Sequence, residues 1–179
     1  RPTTTATLAA AKQANDHGHR VRSLWEHPED LGRTHRGVPA SVWQLKATRE
    51  AFAGREHVSV AGHQCQFDHE GVPYDCKKPT RLYTDIVSFK DFGYPGWPTF
   101  DGGDNYTGPL PRECGHKHER ATIGRNADGG FNTSPLAAYP SGMCMCIARH
   151  CLEGLLRALK ERRAPRGWGG PSKEGASDC

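Results

Sequence analysis

The stretch QCQFDHEGVPYDCKKPTRLYTD, residues 64–85, decides how this chain is read. It opens at the end of an alternating run, His57 to Phe67, that holds Val58, Val60, Cys65 and Phe67. Alternation of that kind predicts a strand with one side turned inward. A Gly-Val-Pro turn follows at 71–73, and Lys77, Lys78 and Arg81 then surround Pro79. TRLYTDIV, residues 80–87, reads as a second strand. A cationic cluster wedged between two strands is either a structural feature or a ligand surface, and the flanking segments bear on which.

On the N-terminal side, the alanines of residues 5–16 favour helix, with Gly18 as a stop. A strand is expected near 20–26, and Pro28 bars its continuation as a central strand. Pro39 suits the first turn of another helix, with Val42, Leu45 and Phe52 on one face and Gly54 at its end. Helix, glycine turn, strand and polar loop follow the rhythm of an α/β layer fold. On the C-terminal side, residues 88–111 are rich in Gly, Pro and aromatics and predict a long ordered loop. In it Trp97, Phe100 and Tyr106 read as anchors to the body, although aromatic side chains of this kind also stack on bases. Residues 112–139 are irregular. A long helix is expected over 141–162, with Met143, Cys146, Ile147, Leu155 and Leu159 near one stripe and its cysteines packed as small hydrophobes. Residues 1–162 form the domain, and 163–179 a flexible basic and Gly-rich tail.

The 179 residues suffice for one domain with a real core. Only 35% are apolar, with 21 Gly and 13 Pro, a loop-rich globular composition. A net charge of +4 is compatible with an anionic partner without demanding one. No apolar run approaches the length of a membrane span. Seven cysteines cannot all pair within one chain, and their spacing favours an intracellular, reducing compartment, nuclear, cytoplasmic or organellar. The first residue is Arg, so the chain is expected to be processed or part of a longer protein.

Cys114-Gly-His-Lys-His118 is the strongest metal signal. In an extended segment alternate residues point to one side, so Cys114, His116 and His118 would converge on one ion, zinc being the usual partner of such ligands. A fourth ligand would come from Cys65, His63, His69 or Cys76. Four protein ligands would make a structural site, and an open position would permit catalysis.

Three segments in order, LWEHPED (24–30), HQCQFDHEGVP with KKPTRLYTD (63–85), and CGHKHER with AAYPSGMCMCIA (114–148), together resemble the C-terminal half of a cytosine-5-type DNA methyltransferase domain, in particular the divergent forms of phages and retroelements. The resemblance implies a partial Rossmann-like, methyltransferase-type sheet of parallel strands near 20–26, 57–66 and 80–87, ending at Glu26 and Phe67. It implies that Glu26 stands where such enzymes hold a flipped cytosine. Lys77, Lys78 and Arg81 would face the nucleic-acid backbone. His27 stands where the family has Asn, and Asp68 where it has Gly. No Gly-rich S-adenosylmethionine turn and no Pro-Cys nucleophile precede Glu26, so S-adenosylmethionine is expected only with a missing N-terminal half. A partial sheet would also leave an edge and an apolar face for another protein chain to cover. Three functions follow as expectations. One is a non-catalytic methyltransferase-derived structural or interaction subunit of a larger assembly. The others are the target-recognition half of a DNA methyltransferase and a zinc-binding module that contacts nucleic acid.

Overall fold

Strand alternation sets the architecture. The computed structural model describes residues 4–17, 21–50, 56–70, 72–73, 75–118, 125, 127–130 and 138–163. In chain order the elements are α1 (Thr4–Asp16), β1 (Leu24–Pro28), a 3-10 turn (Val42–Gln44), α2 (Lys46–Glu50), β2 (Val58–His63), a 3-10 turn (Gln64–Gln66), β3 (Asp68–His69), β4 (Val72–Pro73), β5 (Pro79–Thr84), a 3-10 turn (Val87–Asp91), β6 (Tyr94–Pro95), β7 (Thr99–Phe100), β8 (Tyr106–Gly108) and α3 (Ser141–Arg163). The expected tail lies outside the described residues, apart from its first residue, Arg163, which ends α3. The helix expected from Pro39 begins instead with a 3-10 turn capped by the Ser41 side chain and continues into α2, and Phe52 and Gly54 lie outside the described residues.

The chain is a mixed α/β fold built on a four-stranded sheet of order β1-β5-β2-β6. All three expected strands form, and the sheet departs from the Rossmann expectation in their direction. β5 lies between β1 and β2 and runs antiparallel to both, and β6 is antiparallel to β2. The reason lies in residues 64–78. A parallel neighbour needs a crossover of a dozen or more residues, usually helical. Here the link holds a 3-10 turn and the small β3–β4 pair, so the chain doubles back beside β2. Pro28 closes β1, which is an edge strand, as its missing donor requires.

Period-two alternation gives the sheet two packed faces. On one, Val60 and Leu82 meet Phe89, Phe92 and Met143, with Leu24, Ile147 and Cys151 against them. α3 covers this face. At Gly154 its backbone comes so close that a β-carbon would sit 2.6 Å from Ile86 Cγ2. On the other face Trp43 and Tyr83 are fully buried and pack with Trp25, Val42 and Trp97. Both faces are thus covered within the chain, contrary to the expected bare face. Among the described residues, exposed apolar side chains are most concentrated on α3, at Met145, Leu152, Leu155, Leu156 and Leu159. Leu155 and Leu159, expected in the core stripe, are instead exposed and line a cavity with Ile86, Val87 and Cys151.

The second face also buries a charge. Arg81 and Glu29 are both 0% exposed at their side chains and form a bidentate pair, with Arg81 Nε donating to Glu29 Oε2 at 2.6 Å and Nη2 to Oε1 at 2.7 Å. The remaining donor, Nη1, reaches Ser59 Oγ at 2.7 Å and the Gly96 carbonyl. Tyr106 Oη donates to Glu29 Oε1 at 2.8 Å and accepts from the Leu110 amide at 2.8 Å. Burial, then the Glu29 carboxylate beside it, raises the Tyr106 phenol above its usual range, so it stays a donor. This corrects the expectation that Arg81 faces nucleic acid: its guanidinium is spent inside the fold. Trp97, Phe100 and Tyr106 are anchors, as read from sequence.

Breaking such a pair from one side strands the other charge. Arg81→Met should therefore destabilise the chain by about 3–5 kcal/mol in urea unfolding. The double variant Arg81→Met with Glu29→Gln, which removes both charges, should recover a measurable part of that loss.

Candidate metal centre

Two parts of the chain, far apart in sequence, supply the site. The first is the 3-10 turn that ends β2. It places Cys65 inside, 5% exposed, rather than on the strand expected to run to Phe67. The second is the irregular segment after Leu110. It is led to the sheet by the Tyr106–Leu110 hydrogen bond and held there by the buried His63 ring, whose Nε2 lies 2.9 Å from the Pro111 carbonyl. Lys77 adds an ion pair to Glu113 at 3.5 Å, next to the first ligand of this segment.

The chain then bends. Gly115 has φ +82°, a left-handed conformation that glycine adopts without steric cost. Cys114, His116 and His118 thus converge through a glycine bend, where the sequence suggested extended alternation. One ligand atom from each of Cys65, Cys114, His116 and His118 lies within 4.8 Å of the other three. Cys114 Sγ is 3.0 Å from His118 Nε2. The His116 and His118 rings stand nearly perpendicular, their centroids 6.2 Å apart. In a tetrahedral zinc site with two sulfur and two nitrogen ligands, ligand atoms are separated by about 3.3–3.8 Å. The observed spread brackets that spacing, so shifts of an ångström or less suffice to close the shell.

Of the four candidates for the additional ligand, the fold selects Cys65. His63 orients the Pro111 carbonyl, and His69 Nδ1 accepts from the Ser141 amide at the start of α3 at 3.3 Å. Cys76 is buried outside the cluster. The site's thiols are unequal. Burial, and then its hydrogen bond with Cys114, pushes the Cys65 thiol up to about 12. Burial opposes ionisation of Cys114 too, but hydrogen bonds with the His116 backbone, the His118 ring and Cys65 outweigh it and hold that thiol below its usual range. A divalent ion bound here would displace the thiol protons.

The remaining sequence-derived residues do not join this cluster. Lys78 Nζ sits over the Tyr139 ring, 5.5 Å from its centroid. Each cation of the KKPTR run therefore has a partner within the fold: Glu113 for Lys77, Tyr139 for Lys78, Glu29 for Arg81. Glu26 lies on β1, on the α3 side of the sheet, where its Oε2 accepts from Tyr139 Oη at 2.6 Å. Burial and the Glu26 carboxylate raise the Tyr139 phenol above its usual range. Sequence reasoning missed Glu29 and Ser59 as the partners of Arg81, and named His63 as a possible ligand where it instead meets the Pro111 carbonyl. The signal available was Arg81 itself, an inward position between Thr80 and Leu82 in a strand with neighbours on both sides. A charge there requires a buried counter-charge.

No family model matches the sequence, and neither the curated proteins nor the solved structures contain a match to it.

Proposed function

We propose that this chain is a zinc-stapled α/β domain with a non-catalytic role, serving as an interaction subunit of a larger assembly. The reading is carried by one observation: the ligand atoms of Cys65, Cys114, His116 and His118 gather within 4.8 Å. Two thiolates and two imidazoles are ligands zinc prefers, and four protein ligands leave no position for an activated water. Such a shell stabilises a fold. Here it would clamp the loop after Pro111 onto the end of β2, a loop that has little core of its own.

The interaction role is supported by the exposed apolar side chains of α3. Met145 is 72% exposed, Leu155 56% and Leu152 55%, and apolar patches of that kind mark association surfaces. Nucleic-acid contact is the weaker reading, because Arg81 is buried and Lys77 and Lys78 have internal partners. Descent from a cytosine-5 methyltransferase domain rests on motif order alone, and the antiparallel sheet lends it no support.

Chain purified with zinc should carry about one ion per molecule, and His118→Ala or Cys65→Ala should abolish stoichiometric binding while His69→Ala leaves it intact. Less than roughly a tenth of an equivalent would end the metal reading. Chelation should cost at least about 3 kcal/mol, seen as a fall in Tm of roughly 6–12 °C. Light scattering should find the isolated chain self-associating, whereas a monodisperse monomer counts against the interaction role.

A further inference from the structure

Two cysteine sulfurs in one ligand cluster have a chemistry beyond holding an ion. Cys65 is buried at the end of β2, Cys114 is half-buried at the mouth of the site, and His116 beside it is exposed. Their sulfurs lie within 4.8 Å of each other. Forty-eight residues separate the two in sequence, so joining them would fasten the same loop that the metal fastens. Cys114 sits on a bend at Gly115 rather than within a regular element, so its sulfur can close the remaining gap to the disulfide length of about 2.05 Å without disturbing a strand or helix.

From this arrangement we infer that Cys65 and Cys114 are a peroxide-sensitive thiol pair whose oxidation ejects the metal. The inference rests on the zinc reading above. Cys114 sulfur, the more open of the two, attacks hydrogen peroxide. An S–O bond forms, the O–O bond breaks, and hydroxide leaves to take a proton from solvent. Cys65 sulfur then attacks the Cys114 sulfenic acid. The S–S bond forms, the S–O bond breaks, and hydroxyl leaves as water with one further proton. The thiols lose two electrons and one peroxide becomes two waters. A disulfide sulfur carries no thiolate charge, so the ion is left with two imidazoles and dissociates. The disulfide then holds the loop to β2 in the ion's place.

The test is titration of the zinc-loaded full chain with hydrogen peroxide, following zinc release with a chromophoric chelator and mapping disulfides by mass spectrometry. Zinc should be lost in proportion to a Cys65–Cys114 linkage, with a mass decrease of about 2 Da, and dithiothreitol with zinc should restore the starting form. Zinc that survives peroxide, or that is lost while the linkage maps to Cys76, Cys144, Cys146, Cys151 or Cys179, overturns the inference and leaves the metal reading standing. Metal-free chain provides the converse arm. If the chain never takes up zinc yet forms the same disulfide, the metal reading and the ejection step fall, and the thiol pairing stands. Cys114→Ser, assayed for disulfides in the metal-free state, should form no linkage to Cys65.

Discussion

The buried pair of Arg81 and Glu29 is the constraint from which the rest of this molecule is organised. A guanidinium with no exposure must have its donors answered where it sits. Those answers come from every side: Glu29 just past the end of β1, Ser59 on β2, the Gly96 carbonyl beside β6. The pair thereby ties three neighbouring strands to one another. It also recruits Tyr106, whose hydroxyl is both donor to Glu29 and acceptor for Leu110. A buried ion pair of this kind is weak evidence for net stability. What it provides here is position.

Position is what the ligand loop lacks by itself. Residues 111–118 form no strand or helix and contribute few apolar side chains. They reach the end of β2 because Leu110 is tied to Tyr106 and because His63 receives the Pro111 carbonyl. Three ligands on that loop then meet Cys65 on the turn that ends the strand. The site is therefore an extension of the sheet's polar network, and an ion in it would complete a fastening that hydrogen bonds begin. The same geometry explains why two sulfurs stand within reach of each other.

The three main strands, the first and last helices and three of the four candidate ligands, Cys114, His116 and His118, could be read from residue pattern. Val58, Val60 and Leu82 announce inward faces, the alanines after Thr5 announce a helix, and Cys-Gly-His-Lys-His is a local arrangement of metal-ligating types. Strand direction was hidden. It depends on whether residues 64–78 can house a crossover helix, and their Gly, Pro and charged residues produce a tight return instead. Arg81 was misread for a related reason. Arg81 has its counter-charge 52 residues away, and a separation that long leaves no local trace. Choosing Cys65 from among four possible ligands likewise required the tertiary path of the loop. The reading of α3 failed in part because its apolar residues spread round more than one face. Met143 and Ile147 pack into the core, while Leu152, Leu155, Leu156 and Leu159 stay exposed.

Zinc-edge X-ray absorption of the loaded chain measures the shell itself. The account predicts two sulfur scatterers at about 2.3 Å and two imidazole nitrogens at about 2.0 Å, with no further light-atom ligand. A shell dominated by oxygen, or one whose sulfur count is other than two, would contradict it.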